Sequence, residues 1–362
     1  VESILFLLLI YKIMKTENLK NWGAFIAFLV LAAISCWATE HSFHLLIKWM
    51  PEPFVWGLTI AFFIVASYGT KMIVDALNKD LWMEHRRRTF WIGAVLVLIF
   101  WLLMSMPTNT HTFFYNHNIG NKVQEDLTTT STYLEQIKSR QNVDSAYYAV
   151  HDDVQKKFTA LTNEFNGIGQ SGKKGSGEYV REILRSINEV LEKEVPGSSV
   201  KFNDAAWNKF DPHVLSSYEN QMNRALEQIK DQNYKVSKTA AAEAAEDIRK
   251  IGLMTDTIKV MVETGNIHED VITQAEGVIL SGYTCVKNNQ KYVKFDNQKD
   301  KDLYTAENLE TNTKRMLSVI DVWIDFFKGK YPISFLFYVL LSILVDVAAF
   351  IFFDFAFKKR EN

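Results

Sequence analysis

Four long apolar runs constrain this chain more than any other feature. Phe54–Leu77, Phe90–Met106 and Ile333–Phe357 are each close to the 20 or so apolar residues that cross a hydrocarbon core of about 30 Å. A fourth run extends from Trp22 to about Thr39 and continues as a mixed segment, Glu40 to Met50, expected at the membrane surface. Aromatic residues stand near the ends of the runs: Trp22 and Trp37, Trp56, Trp91 and Tyr331, the pattern of interfacial anchors. The mean hydropathy of −0.07 hides this, because residues 108–331 between the third and fourth runs are polar. Four such runs with charged flanks are hard to place in a soluble core. The expectation is an all-α membrane protein with four transmembrane helices.

The start of the chain is a separate problem. Ile4–Ile13 is apolar but too short to span, and its basic residues follow the apolar run rather than precede it, unlike a signal peptide. Met14, followed by Lys15-Thr16-Glu17-Asn18, reads as a natural start, so residues 1–13 are expected to be an upstream translation artefact or a weak interfacial segment. Orientation follows from the short loops. Lys15 and Lys20 precede the first span, Lys79, Arg86, Arg87 and Arg88 lie between the second and third, and Lys358, Lys359 and Arg360 follow the last. The loop between the first and second spans holds only Lys48. Nine basic residues against one put both termini in the cytoplasm and residues 108–331 outside it. In a Gram-negative cell that means the inner membrane and the periplasm.

The insert carries the 3.6-residue rhythm of amphipathic helices. Its stripes are Ile119, Val123, Leu127, Leu134 and Ile137; then Tyr179 to Leu191, ended by Pro196-Gly197; then Tyr218, Met222, Leu226 and Ile229. Ile248 to Val262 follow an alanine-rich run, and a last stripe from Leu309 to Phe327 leads to a break at Gly329–Pro332. Gly282 to Phe295 reads differently: two apolar/polar alternations flank Asn288-Asn289, which predicts a small β-hairpin packed on the helices. The stripes are narrow, which suits an elongated bundle. The expected division is an N-terminal segment 1–21, spans 22–107, an extracytoplasmic helical domain 108–331, and the last span with a basic tail, 332–362.

Candidate chemistry is sparse. Gly167 to Lys174 resembles a phosphate-binding loop, but Lys174 stands where a Mg²⁺-ligating hydroxyl belongs and no strand precedes it. A flexible linker is the better reading. His111 and His117, six residues apart, do not share a helix face, and His268-Glu269 lacks a second histidine, so no metal site is expected. Cys36 falls in a span and Cys285 in the insert; burial is expected for both rather than a mutual disulfide. The charge balance, 40 Lys+Arg against 42 Asp+Glu, argues against a nucleic-acid partner.

The intramembrane charges are the most informative residues. Asp346 lies mid-way along the last span and Lys71 in the second, with Asp75 and Asp354 nearer the membrane edge. A charge at mid-bilayer costs about 3 kcal/mol or more, so such residues face inward and find partners. An Asp346–Lys71 pair between the second and fourth spans is expected. It serves either helix packing or an ion- or proton-sensitive site; a protonated, unpaired Asp346 is the remaining option. Arg86, Arg87 and Arg88 determine topology and can also hold anionic lipid headgroups.

By its span order the chain resembles an uncharacterised family of bacterial four-span membrane proteins with a long helical insert between the third and fourth spans. That resemblance covers the whole length but implies no activity, cofactor or site residue. The expected function is non-enzymatic, without cofactor or metal. The protein anchors in the membrane, in contact with lipid, and presents a helical domain to a protein partner or a second copy, as a subunit of an envelope complex. The alternatives are an ion channel or transporter component built by oligomerisation around Asp346 and Lys71, and a sensor signalling through a partner.

Overall fold

The structure is a computed structural model that describes residues 2–79, 82–201, 207 and 211–357, with the side chains of 2–20, 212 and 332 left aside. The basic tail residues Lys358, Lys359 and Arg360 lie outside the described residues. Within them the chain is helical and contains no strand; one isolated bridge joins Asn166 and Lys174. Four helices are long and apolar enough to cross a membrane, spanning Asn21–Leu46, Glu52–Leu77, Arg86–Ser139 and Ile333–Ala356, as a multi-pass membrane protein requires. The chain forms two compact units, one of Val1–Lys122 with Asn312–Asn362 and one of Val123–Thr311.

The first unit contains α1 (Glu2–Leu46), α2 (Glu52–Leu77), α3 (Arg86–Val97), a π-helical stretch Leu98–Ser105, and the first part of α4 (Met106–Ser139). After the insert come α10 (Asn312–Met316), α11 (Val319–Phe327) and α12 (Pro332–Ala356). Its surface and interior are arranged as lipid solvation demands. Leu344 of α12 is 65% exposed while Asp346, two residues on, is fully buried. Ile26 and Val30 of α1, Ile60 and Ile64 of α2, and Leu336 and Leu340 of α12 also point outward. Towards one end of the bundle the interior is apolar, with Phe28, Cys36, Phe63, Ala66, Ala349 and Phe350 packed together. α2 and α3 approach closely at two glycines: a Cβ on Gly93 would sit 2.6 Å from the Gly69 carbonyl oxygen. Small residues at such crossings let backbones meet in membranes.

Two boundaries differ from expectation. Glu40 to Leu46 continues α1 without a break, and Ser42, Phe43 and Leu45 are buried in the bundle rather than laid on a surface. The third helix does not end with its apolar run at Met106. Proline lacks an N–H and clashes with the carbonyl four residues back. The π winding just before it re-registers the ladder, with Met106 N–H donating to Trp101 O, so the helix passes through the proline and continues to Ser139. Threonines along α4 remain helical by donating to carbonyls one turn back, as at Thr108 to Met104 and Thr130 to Asp126.

α10 and α11 are separate because Ser318 caps α11, accepting from the Asp321 N–H at 3.2 Å. Sequence periodicity read this region as one helix. Asp325 of α11 is buried and takes a bidentate contact from Arg315, at 2.6 and 3.1 Å, with Lys330 at 3.0 Å. Burial by itself raises the Asp325 carboxyl, and the hydrogen bonds and charges of Arg315 and Lys330 more than offset it, leaving the group below its usual value.

The second unit holds the rest of α4, α5 (Val143–Phe165), α6 (Glu178–Glu194), α7 (Pro212–Thr264), α8 (Glu269–Asn288) and α9 (Gln298–Thr305). The two stripes 218–229 and 248–262 join through the alanine-rich run into the single helix α7, closed by Gly265 in the left-handed region at φ 69°. α5, α6 and α7 bury Val154, Leu161, Phe165, Leu184, Ile187 and Met222, with Trp207 edge-on to Phe165 at 5.4 Å. A second buried group stacks Tyr283 on Tyr304 at 4.1 Å, with Tyr133 beside them.

The expected β-hairpin at Gly282–Phe295 is not formed. Residues through Asn288 belong to α8, and Gln290–Tyr292 form one 3₁₀ turn. The alternation was half of a longer pattern: Ile272, Ala275, Ile279, Tyr283 and Val286 are buried at three- and four-residue steps. Gly282 stands in the helix for space, since a Cβ there would lie 2.5 Å from Thr130 Cγ2. Asn289 ends α8 by donating to the Cys285 carbonyl at 2.9 Å.

Candidate functional site: a buried polar seam in the bundle

Three spans of the first unit contribute polar side chains to one interior line. α1 supplies Ser35, Thr39 and Ser42; the π stretch and α4 supply Trp101, Ser105, Asn109, His111 and Thr112; α12 supplies Ser342 and Asp346. The four-residue steps 101, 105 and 109 fall on one side because the winding changes along the way. A step of four lags a full turn in π geometry and overshoots it in α geometry, so the two offsets cancel.

Asp346 is the centre. Its Oδ2 accepts from Trp101 Nε1 at 3.0 Å and from Ser105 Oγ at 3.4 Å. Asn109 Nδ2 lies 3.2 Å from Oδ1 and 3.3 Å from Oδ2. The same Asn109 nitrogen is 2.9 Å from Ser35 Oγ and 3.2 Å from Ser105 Oγ, while its carbonyl oxygen accepts from Thr39 at 2.8 Å. Farther along, Ser42 donates or accepts with Thr112 at 2.7 Å and with His111 Nδ1 at 2.9 Å, and His111 Nε2 meets the Met316 carbonyl at 3.1 Å. Among the described residues the donors to Asp346, Trp101, Ser105 and Asn109, are neutral.

The expected Asp346–Lys71 pair is not formed. Lys71 Nζ lies 3.3 Å from Asp354 and 3.4 Å from Asp75, both part-buried. Asp354 is two turns beyond Asp346, roughly 12 Å along α12. The lysine therefore meets two carboxylates at its own depth and has no need to reach inward. Sequence counting found the charged residues but not the neutral donors around Asp346. Their signal was present in polar residues at helical spacing, 35, 39 and 42 against 105, 109 and 112, at the ends of two apolar runs.

The other singled-out residues fall into place locally. Arg86 caps the end of α2, donating to the Asn78 carbonyl at 2.7 Å, whereas Arg87 and Arg88 are exposed beside Trp91. A cation at a helix C-terminus is favourable against the helix dipole. Cys36 and Cys285 are both free thiols and both buried; burial, then the charges of Asp247 and Glu243, push the Cys285 thiol up to about 11. His117 packs its ring 5.9 Å from Tyr338.

The phosphate-loop lookalike is closed by its own anion. Glu164 is buried inside the turn, and its Oε1 accepts from the Ser171 N–H at 2.9 Å. Hydrogen bonds from the Ser171 side chain and backbone hold Glu164 below the usual carboxylate range. Gly169 must be glycine because a Cβ there would collide with the Glu164 carboxylate. Among the described residues no group of three or more His, Cys, Asp or Glu is placed to hold a metal ion. No family model, curated protein or solved structure matches this chain.

Proposed function

We propose that this protein is a non-enzymatic integral membrane protein that holds a helical unit outside the cytoplasm as a protein-interaction module. The observation that carries the reading is the separate packing of Val123–Thr311, with its own buried groups of side chains, in a chain with four candidate spans. Such a unit has a core of its own and is not needed to complete the membrane bundle. The nine-to-one bias of basic residues between the two sets of short loops supports a bacterial cytoplasmic membrane with both termini inside. Residues 108–331, and the helical unit within them, then lie on the outer side. Anionic lipid meets Arg87 and Arg88 at the inner face.

The partner is a protein or a second copy of the chain. α7 exposes Tyr234, Val236, Leu253 and Val260, apolar side chains on a largely charged and polar surface. Photo-crosslinkers placed at Leu253 and Val260 in living cells test the reading, with the exposed polar positions Lys250 and Lys259 of the same helix as controls. The expected result is one discrete adduct, heterologous or homodimeric, from the apolar positions and none from the controls. Equal, diffuse adducts from all four positions, or none, would remove the support for an interaction module.

A further inference from the structure

We infer that Asp346 is a proton-binding site inside the membrane bundle, occupied as the carboxylic acid in one state of the protein and as the carboxylate in the other. This goes beyond the proposed function and does not depend on which side of the membrane the helical unit occupies.

The hydrogens around Asp346 can be counted. An ionised carboxylate only accepts, and a primary amide nitrogen carries two protons. Asn109 Nδ2 nevertheless faces four acceptors: Ser35 Oγ at 2.9 Å, Ser105 Oγ at 3.2 Å, and the two Asp346 oxygens at 3.2 and 3.3 Å. With Asp346 ionised, Asn109 serves Ser35 Oγ and Oδ1, while Trp101 and Ser105 donate to Oδ2. A proton on Asp346 is accommodated by the same partners. Its O–H donates to Ser105 Oγ, 3.4 Å from Oδ2, and Asn109 then serves Ser35 Oγ and the other carboxyl oxygen. Trp101 Nε1 still donates to Oδ2 at 3.0 Å, and Thr39 to Asn109 Oδ1 at 2.8 Å. Ser105, freed as a donor, reaches Thr39 Oγ1 at 3.5 Å or Ser35 Oγ at 3.4 Å. The same side chains therefore satisfy Asp346 in either protonation state, with only hydroxyl protons turning.

The surroundings push the equilibrium both ways. Full burial in a span disfavours the carboxylate. Three neutral donors within hydrogen-bond distance favour it. Among the described residues no Lys or Arg is hydrogen-bonded to Asp346, and Lys71 of α2 is held by Asp75 and Asp354. The titratable neighbour on α1 is Cys36, with Glu40 and His41 farther along that helix. On α4 it is His111, bonded to Ser42 and Met316. Ser342 is the polar neighbour on α12, and it donates to the Met106 carbonyl.

Labelling with a hydrophobic carbodiimide tests this on the full chain in native membranes. The reagent adds the protonated carboxyl across its C=N bond, taking the acid proton onto nitrogen and forming an O-acylisourea that rearranges to a stable N-acylurea, so only the acid form is trapped. The expected result is an adduct on the peptide containing Asp346 that is strong at acidic pH and lost at alkaline pH. The Asn109→Leu variant, which removes a donor to the carboxylate, should extend labelling to more alkaline pH by about one unit. Wild-type mass spectrometry alone is decisive if a variant fails to fold. An unlabelled Asp346 at every pH, with labelling appearing only after denaturation in acid, would overturn the proposal. So would protection of Asp346 by sodium at constant pH, which would make the site one for a metal cation instead.

Discussion

Replacing Gly93 by alanine tests how the second and third spans are held together. The new Cβ would stand 2.6 Å from the Gly69 carbonyl oxygen and 3.0 Å from Ile73 Cγ1 and Met72 Cβ. The oxygen is backbone and cannot swing aside, so α2 and α3 must separate by about 0.8 Å to restore an ordinary contact near 3.4 Å. A gap of that size forfeits a quarter to a half of each dispersion contact along the crossing. Taking roughly 30 atom pairs at about 0.15 kcal/mol each gives a loss of about 1–2 kcal/mol, inside the usual range for overpacking. In a bilayer no hydrophobic driving force between helices offsets it. Gly57→Ala on α2 is the matched control, because nothing lies within 4 Å of a Cβ there. Reversible unfolding in mixed micelles reads both. The reasoning is refuted if Gly93→Ala is no less stable than Gly57→Ala within about 0.5 kcal/mol.

Asp325→Asn should cost about 2 kcal/mol, because it leaves Arg315 without its buried bidentate partner while Lys330 stays partly solvated. The Asp325 carboxyl is depressed in the folded protein, so its contribution is complete above the unfolded value near pH 4 and is lost as pH falls through the lower folded value; a pH series of unfolding midpoints should show that loss in the wild type and not in the variant. Gly282→Ala should destabilise the helical unit, since Thr130 Cγ2 sits 2.5 Å from the new methyl, and thermal melting followed by circular dichroism would register it. Cys285 should resist alkylation at pH 8 in the folded protein and react fully once unfolded, as its burial and raised thiol require; fast labelling of the native chain would contradict its placement.

The spans were legible because a bilayer imposes length and hydropathy directly on the sequence, and all four runs became helices. Their limits were less so. The apolar run ends at Met106, whereas π winding carries the helix on through Pro107, and Glu40–Leu46 looked superficial because its buried serine and its apolar residues alternate with charge and histidine. The helical stripes of the insert were legible for the same periodic reason. Gly282–Phe295 was misread because a run of alternating residues also satisfies a helix when its three- and four-residue steps are apolar. At the polar seam the sequence exposed Asp346, since a lone acid in an apolar span is conspicuous. Its partners were harder to see. Lys71 was chosen by charge, whereas the actual neighbours are neutral, and single serines, threonines and asparagines on separate helices converge only once the helix rotations are known.

Protease added to intact spheroplasts tests the placement of the helical unit most directly. Cleavage within residues 123–311, leaving membrane-embedded fragments from both sides of the cut, is the predicted result. Resistance of that region in intact spheroplasts, with cutting only after lysis, would put the unit in the cytoplasm and contradict the account.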